Sequence, residues 1–388
     1  MFYTMEQKNI IEMLFPDAGE CNLMLGSIGD FVEKEILPGA AKIDEEEIFP
    51  GLNLEKSQKQ GIMAIPFPKD YNGLGLAYPV YVAALEMLAK GCSNTALQIS
   101  IQGMVCEGIR IFGNEIQKND FLKEKGLVEG KSLAAFALTE PCCGSDAKSI
   151  RTIAERQGDN YIINGTKTLI TSPGEADHIL VFARTEKGIS AFLVPRKSTG
   201  FNVSRVIPKL GFRGHRLSEV HLDNCEVPAN NLIGEEGKGL EHAKRILNSG
   251  RLTIAAIAVG IAQAAYEKSL LYSRERRAFG DSISQFQLVQ EKLADMVTQI
   301  NAARLLTYYA AHLKDKGKNI VTEASQAKLF STEMALRVCD NAIQIHGGYG
   351  YTDEYDIHRH WRDARLLTIG EGTSEILRLL IAHLALKQ

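Results

Sequence analysis

The spacing of apolar and polar residues is mainly helical in the first third of the chain. Val80 to Leu88 and Leu97 to Ile111 are apolar stretches long enough to predict buried helices. Pro66 to Gly75 contains two prolines and two glycines and therefore predicts a loop. We predict an N-terminal helical domain over residues 1–135.

The next hundred residues contain short apolar segments that are typical of β-strands. The predicted strands are 161–163, 166–170, 179–183, 189–194 and 220–227. Asn164-Gly165 separates the first two and favours a type I′ hairpin turn, because both turn positions need positive φ. Glu186-Lys187-Gly188 separates the next pair in the same way. Residues 136–235 are therefore predicted to form an antiparallel β domain.

The helical period returns after Gly239 and continues to the end of the chain. The predicted helices include residues 254–265, 293–303, 330–342 and 376–380. Four amphipathic helices with short connections predict a C-terminal four-helix bundle over residues 236–388. The fold class is thus mainly α with a central β domain.

Composition and charge exclude several classes of function. The 44 basic and 47 acidic residues give a net charge of −3, which provides no basis for binding nucleic acid or an anionic membrane. No apolar run approaches the ~20 residues of a membrane helix, and the first residues lack a basic leader. Only Cys142 and Cys143 of the seven cysteines lie close in sequence, which argues against a disulfide framework. We expect a cytoplasmic protein.

The common nucleotide, hydrolase and metal motifs are missing from the sequence. There is no Gly-x-Gly-x-x-Gly after a strand, no P-loop and no Gly-x-Ser-x-Gly elbow. His358 and His360 are two residues apart, a poor spacing for metal ligands on a helix, so a packed or solvated histidine pair is favoured. We predict no metal site.

Two residue clusters remain as candidates for chemistry. One is Ala137 to Asp146, directly before the β domain, and the other runs from Gln344 to Glu375. Glu371 lies between two glycines, which permit a ligand to approach the backbone closely. The same stretch is also compatible with a helix N-terminus, in which Thr373 or Ser374 is the cap and Glu371 is solvated.

Three motifs in these regions resemble those of one enzyme family. Thr139-Glu-Pro-x-x-Gly-Ser-Asp146 resembles the first signature of the acyl-CoA dehydrogenases, and Gln344-x-x-Gly-Gly-x-Gly350 through Arg359 and Asp363 resembles the second. Arg274-Glu-Arg-Arg-Ala-Phe-Gly280 with Gln287 resembles the family's flavin-contacting stretch. The helical, β, helical order also agrees, so the resemblance extends over nearly the whole chain.

The resemblance implies oxidation of an acyl-CoA to the 2,3-enoyl-CoA with FAD. Glu371 stands at the position of the base that removes the α proton, while flavin N5 accepts the β hydride. Such an enclosed base should have a raised pKa. The backbone amide of Glu371 and a flavin hydroxyl would hold the thioester carbonyl. Some relatives carry the base just before the residue equivalent to Arg251, but Gly250 has no carboxylate here.

The resemblance also assigns the ligand contacts and partners. The expected FAD contacts are Phe136, Leu138, Thr139, Gly144, Ser145, Leu169, Ile170, Thr171, Arg276, Phe279, Gln287, Gln344, Gly347, Gly348, Gly372, Thr373 and Glu375. The expected substrate contacts are Ser145, Arg251, Gly370, Glu371 and Gly372. Arg276, Phe279 and Gln287 would reach FAD across a subunit interface. A homotetramer that passes electrons to an electron-transfer flavoprotein is expected. Arg251 is expected near the CoA end, the alternative being a surface arginine at a helix start.

Two departures from the family pattern bear on specificity. Leu169 replaces an aromatic residue that usually packs on the flavin, and Gly370 replaces a frequent tyrosine. The missing tyrosine predicts a wider cavity for branched or cyclic acyl groups. Gln98 and Gln102 lie four apart, either adding polarity near the acyl end or forming a solvent-facing stripe. An acyl group on a carrier protein, an oxidase-type relative and a non-enzymatic flavin-binding relative remain alternatives.

Overall fold

Long helices form both ends of the chain in the computed structural model, which describes residues 2–15 and 18–387. The helices are α1 Met5–Leu14, α2 Gly19–Phe31, α3 Ala40–Glu45, α4 Gly51–Lys59, α5 Tyr78–Phe112, α6 Glu115–Gln117, α7 Gly239–Glu275, α8 Gln287–Asp315, α9 Val321–His346, α10 Ile357–Leu367 and α11 Ser374–Ala385. Helix α5 includes both buried helices predicted before residue 112. Only a kink at Cys92 (φ −150°, ψ 102°) separates them.

A central sheet lies between the two helical parts. Its strands are β1 Ala134–Ala137, β2 Ile153–Gln157, β3 Asn160–Thr171, β4 His178–Thr185, β5 Gly188–Pro195, β6 Phe201–Val206, β7 Leu217–Pro228 and β8 Leu232–Ile233, and a separate ribbon has β9 Arg277–Ala278 and β10 Asp281–Ser282. The sheet order is β6-β7-β3-β2-β4-β5-β8, with β1 on β4. Strands β1 and β2 both run parallel to β4, so the sheet is mixed rather than wholly antiparallel.

The hairpin predicted at Asn164-Gly165 is wrong. Both residues lie inside β3, where the register with β7 shifts between Ile163 and Gly165. Gly165 has φ 151°, and a Cβ there would lie 2.5 Å from Thr152 Oγ1, so close backbone approach requires glycine. The turn itself falls at Gly158-Asp159, whereas the predicted β4–β5 hairpin is confirmed.

The C-terminal helices agree with the sequence pattern, and the described structure adds α10. Helix α7 packs along both α5 and α9, so it lies at the centre of the protein. It is long and apolar enough to cross a membrane, but 89% of its most apolar window is buried inside the protein. That burial is typical of a core helix.

Candidate active site

A cavity of about 1500 Å³ lies where the sheet meets α5, α7 and the connection between α10 and α11. Most of the site residues expected from the sequence line it. These are Phe136, Leu138, Thr139, Gly144, Ser145, Leu169, Ile170, Thr171, Arg251, Gly370, Glu371, Gly372 and Thr373. Segments more than 200 residues apart in sequence therefore form one site.

Glu371 lies in the short connection between α10 and α11. Its backbone is left-handed (φ 53°), and Gly372 follows with φ 102°. Thr373 is the N-cap of α11, where its side chain accepts a hydrogen bond from the N–H of Ile376 at 3.3 Å. The cap at Thr373 is therefore confirmed. The solvated carboxylate is wrong, because Glu371 Oε2 is buried and has no hydrogen-bond partner among the residues that the structure describes.

The electrostatic surroundings of Glu371 suit a base that works near neutral pH. Burial raises its pKa to about 7, although Lys328 and Arg251 oppose the shift. Burial also lowers the pKa of Lys328 to about 8, against the attraction of Glu371. The Lys328 ammonium donates a hydrogen bond to the Gly372 carbonyl at 2.6 Å. Lys328 therefore both holds the connection and places positive charge beside the carboxylate. Sequence reasoning missed it because only the tertiary fold brings α9 to this point.

Helix α7 contributes Gly250 and Arg251 to the wall beside Glu371. A Cβ on Gly250 would lie 2.1 Å from Glu371 Oε2 and 2.7 Å from Met104 Sδ. Arg251 is buried within α7, so it is not a surface residue at a helix start. Its guanidinium donates to Asn248 Oδ1 at 2.8 Å and to Ser325 Oγ at 3.3 Å, while its Nε has no hydrogen-bond partner within residues 2–15 and 18–387.

The sheet side of the cavity is built around a buried ion pair that sequence reasoning also missed. Lys167 Nζ lies 2.7 Å from Glu140 Oε1 and donates to the Leu138 carbonyl at 3.1 Å. Glu140 also accepts hydrogen bonds from the N–H groups of Arg151 at 2.5 Å and Thr152 at 3.0 Å. These contacts fix the signature loop against β3. Glu140 belongs to the Thr139–Asp146 signature, and this position was the one sign in the sequence that it has a role at the site.

Beyond this anchor, β3 bulges next to the cavity. The register with β7 shifts between Lys167 and Ile170, and Leu169 has φ 57° with 56% of its surface exposed. The N–H of Thr168 donates to the Thr139 carbonyl at 3.0 Å, which holds the signature loop beside the bulge. The bulge and the loop together leave an open wall, which suits a flat ring system such as flavin.

The remaining expected flavin contacts do not line the cavity. They are Arg276, Phe279, Gln287, Gln344, Gly347, Gly348 and Glu375. The Arg276 guanidinium lies over the Tyr349 ring at 5.5 Å, so the β9–β10 ribbon meets the glycine-rich segment after α9. Phe279 is 99% exposed with φ 53°. The structure therefore divides the expected contacts between residues that line the cavity and exposed residues outside it.

Neither interpretation of Gln98 and Gln102 is correct. Both residues are buried, yet neither lines the cavity. Gln102 donates to the carbonyls of Leu127 at 2.7 Å and Ser132 at 2.9 Å, and its Oε1 accepts from the N–H of Ala134 at 2.7 Å. Gln98 Nε2 donates to the Ala134 carbonyl at 3.4 Å, so the pair joins α5 to the start of β1. Their partners are backbone groups of other segments, which sequence spacing does not reveal.

The histidine pair on α10 also has a structural setting. His358 Nε2 lies 3.1 Å from Asp353 Oδ1 at the surface, whereas His360 is buried. Burial lowers the pKa of His360 well below its usual value, so the ring is neutral. Two such different environments agree with packing and solvation roles.

Comparison with known proteins identifies the family. Residues 19–129, 135–225 and 237–386 match the N-terminal, middle and C-terminal domains of acyl-CoA dehydrogenases, respectively. The chain belongs to the acyl-CoA dehydrogenase family. It is accordingly a flavoprotein oxidoreductase that acts on acyl-CoA and uses FAD.

Relatives within the family include enzymes of short acyl chains. The short-chain specific acyl-CoA dehydrogenase of Clostridium acetobutylicum is 40% identical over 369 residues, which are 94% of this chain and 97% of that protein. The structure of butyryl-CoA dehydrogenase from Megasphaera elsdenii has a TM-score of 0.92 and 38% identity, covering 94% of this chain and 98% of the other. A chain from a structure described as the electron transferring flavoprotein of Acidaminococcus fermentans has a TM-score of 0.93 and 38% identity, covering 95% and 98%.

Proposed function

We propose that the enzyme dehydrogenates short acyl-CoA thioesters between the α and β carbons, with Glu371 as the base that removes the α proton. The buried Oε2 of Glu371 carries this proposal, since no donor among the described residues hydrogen-bonds to it. A pKa near 7 gives a base that is substantially ionised at neutral pH yet can accept a proton. When bound, FAD supplies the acceptor for the hydride that leaves the β carbon.

The backbone of Glu371 supports the same reaction at the thioester carbonyl. Its N–H donates no hydrogen bond within the described part of the chain. Such an amide is available to the carbonyl oxygen, where negative charge develops as the α proton leaves. Residues Ser145, Arg251, Gly370 and Gly372 line the same cavity and are proposed to contact the substrate.

We propose that the acyl pocket is short but wide. The side of α5 that lines the cavity carries the bulky residues Tyr78, Tyr81, Ile101 and Met104, which would limit chain length. Around Gly370, in contrast, a Cβ would meet only the Leu366 carbonyl oxygen, at 3.8 Å. The short-chain specificity of the relatives favours a short pocket. The open space at Gly370 favours branched or cyclic acyl groups.

Oligomeric state, acceptor and location follow as further proposals. Exposed apolar residues are frequent on the C-terminal helices and the β9–β10 ribbon, including Phe279, Leu288, Leu305, Tyr309 and Leu379. A homotetramer would cover part of this surface and bring Arg276, Phe279 and Gln287 to FAD held by a neighbouring subunit. The likeness to a chain described with electron transferring flavoprotein favours such a flavoprotein as the electron acceptor. A cytoplasmic location is proposed from the sequence alone.

Anaerobic titration of the purified yellow protein with acyl-CoAs tests the reaction. Flavin bleaching is expected with butyryl-, isobutyryl- and cyclohexanecarbonyl-CoA, and least with octanoyl-CoA. Glu371→Gln is the matched control. It should bind FAD and substrate but reduce flavin at least ~100-fold more slowly, the low end for removing a general base. Bleaching only by carrier-protein thioesters would contradict acyl-CoA as the substrate class. Flavin reduction at the wild-type rate in Glu371→Gln would contradict the assignment of Glu371 as the base.

The assembly proposal has its own test. Arg276→Ala should weaken both FAD retention and oligomer stability, because a ligand bound between subunits links the two equilibria. Sedimentation and flavin content, measured on the same samples, check this. A monomer that retains FAD tightly would contradict the proposed interface.

A further inference from the structure

Cys142 and Cys143 occupy the turn between Glu140 and the cavity wall. Their Sγ atoms are 2.6 Å apart, so the two side chains face each other. Cys142 is exposed, whereas Cys143 is buried. Burial raises the pKa of Cys143 to about 11, with a further contribution from Cys142. An oxidant would therefore reach Cys142 first.

Metal binding is a poor use of this pair. Glu140 is the third group near the two sulfurs, and its Oε2 lies 3.8 Å from Cys142 Sγ. That carboxylate already accepts hydrogen bonds from Lys167 and from two backbone amides. Because these hydrogen bonds occupy the Glu140 carboxylate, it is a poor third metal ligand. We therefore interpret the two cysteines as a pair of thiols.

We propose that Cys142 and Cys143 are a redox modification site that oxidises to a disulfide between neighbouring residues. The oxidant is a small disulfide of the glutathione type. The Cys142 thiolate attacks one of its sulfurs, the oxidant's S–S bond breaks, and the first small thiolate leaves and takes up a proton. Cys143, on losing its proton, attacks Cys142 and releases the second small thiol. Two protein thiols lose two electrons and two protons, and one small disulfide becomes two thiols.

Such a disulfide is readily reversed by reduction. Consecutive Cα atoms are ~3.8 Å apart, below the usual ~4.4–6.8 Å span of a disulfide. The resulting strain makes the bond easier to reduce, as in regulatory rather than structural disulfides. The site therefore responds to the thiol balance of its surroundings.

Oxidation alters the wall of the active-site cavity. In the turn, the N–H of Glu140 donates to the Cys143 carbonyl at 3.1 Å, and the N–H of Cys143 donates to the Glu140 carbonyl at 3.0 Å. Formation of the S–S bond closes a ring through the peptide between the cysteines, and we expect this ring to strain the pair of hydrogen bonds. Because Glu140 is anchored, the displacement passes to Gly144 and Ser145, which line the cavity. Oxidation is thus expected to lower activity.

Treatment of the holoenzyme with oxidised glutathione tests the proposal. The tryptic peptide covering residues 132–148 contains both cysteines and should lose two hydrogens. The kcat/KM for butyryl-CoA should fall at least fivefold and recover with dithiothreitol. Cys142→Ser and Cys142→Ala should keep the activity of the reduced enzyme and resist oxidation. Cys21→Ser, at the other cysteine that is not fully buried, should retain the wild-type response.

Three results would overturn the proposal. The first is a peptide that keeps both thiols or stops at a lasting glutathione adduct on Cys142. The second is a disulfide in the peptide that leaves kcat/KM unchanged. The third is a Cys142→Ser enzyme that loses activity to the same extent under oxidised glutathione.

Discussion

The carboxylate of Glu371 occupies the space that a side chain at Gly250 would need. A Cβ on Gly250 would lie 2.1 Å from Oε2 and 2.9 Å from Cδ of Glu371. Helix α7 thus approaches the proposed base closely because this position has no side chain. The glycine and the glutamate form one unit, although 121 positions separate them in the sequence.

Gly250→Ala is expected to displace the Glu371 carboxylate and slow flavin reduction by roughly 10- to 100-fold, since a misplacement of ~1 Å costs about that much. FAD content should stay normal. Gly26→Ala on α2 is the matched control, because nothing lies within 4 Å of its Cβ position. Stopped-flow flavin reduction measures both variants. A Gly250→Ala enzyme with wild-type reduction would show that the carboxylate is not held at this place.

Lys328→Met is expected to shift the acid limb of the pH–rate profile to higher pH. The Lys328 ammonium lowers the pKa of Glu371, as does Arg251 from α7, so removal of one positive charge raises that pKa. Activity should fall more at pH 6 than at pH 9. The lost hydrogen bond to Gly372 should lower the rate throughout.

Lys328→Arg keeps the positive charge and serves as the comparison for Lys328→Met. Its acid limb should stay within about half a pH unit of the wild type, which corresponds to roughly 0.7 kcal/mol. If the acid limb of the pH–rate profile does not shift in Lys328→Met, the charge of Lys328 does not lower the pKa of Glu371.

Glu371→Gln is expected to stabilise the protein at pH 8 but not at pH 5. The folded-state pKa of Glu371 is raised to about 7, so the stability linked to this group is present at low pH and lost as pH rises through 7. The wild type should lose about 2.5 kcal/mol from this source between pH 5 and pH 8. Urea unfolding of the apoproteins at both pH values checks the difference. An equal gap between wild type and variant at the two pH values would contradict the raised pKa.

Gly370→Tyr is expected to shift preference from branched or cyclic acyl groups to linear ones. Space at Gly370 is open, and its backbone is outside the left-handed region, so a side chain is tolerated. Filling that space should change the ratio of kcat/KM for isobutyryl- and butyryl-CoA by about tenfold, roughly 1.4 kcal/mol. Gly370→Ala should preserve the wild-type ratio. Wild-type preference for linear chains by tenfold or more would refute the wide pocket.

Sequence patterns predicted the order of helical and β parts because periodicity depends on which face of each element is buried. Most of the site residues that they predicted line the cavity, since the motifs at Thr139 and Glu371 resemble a family with known roles. The prediction of a turn at Asn164-Gly165 was wrong because glycine is favoured both at a strand bulge and in a hairpin turn. Local sequence does not distinguish these two settings.

Contacts made across the fold were beyond the reach of sequence analysis. Lys328 is a lysine on a long amphipathic helix, and only the packing of α9 beside Glu371 gives it a role. Gln102 finds its partners on the segment from Leu127 to Ala134 rather than in solvent or substrate. In both cases the energetic cost of burying a polar group is met by a partner that the chain supplies far away in sequence.

Asp363, on α10, connects the three parts of the protein. It accepts hydrogen bonds from the Ser93 hydroxyl on α5 at 2.5 Å and from the N–H of Phe212 before β7, also at 2.5 Å. Helix α10 then leads directly into the connection that carries Glu371. Loosening of either neighbouring part would leave the buried Asp363 carboxylate short of donors. Separation of either part from α10 should therefore disturb the connection that carries Glu371, so that catalytic competence is lost together with domain docking.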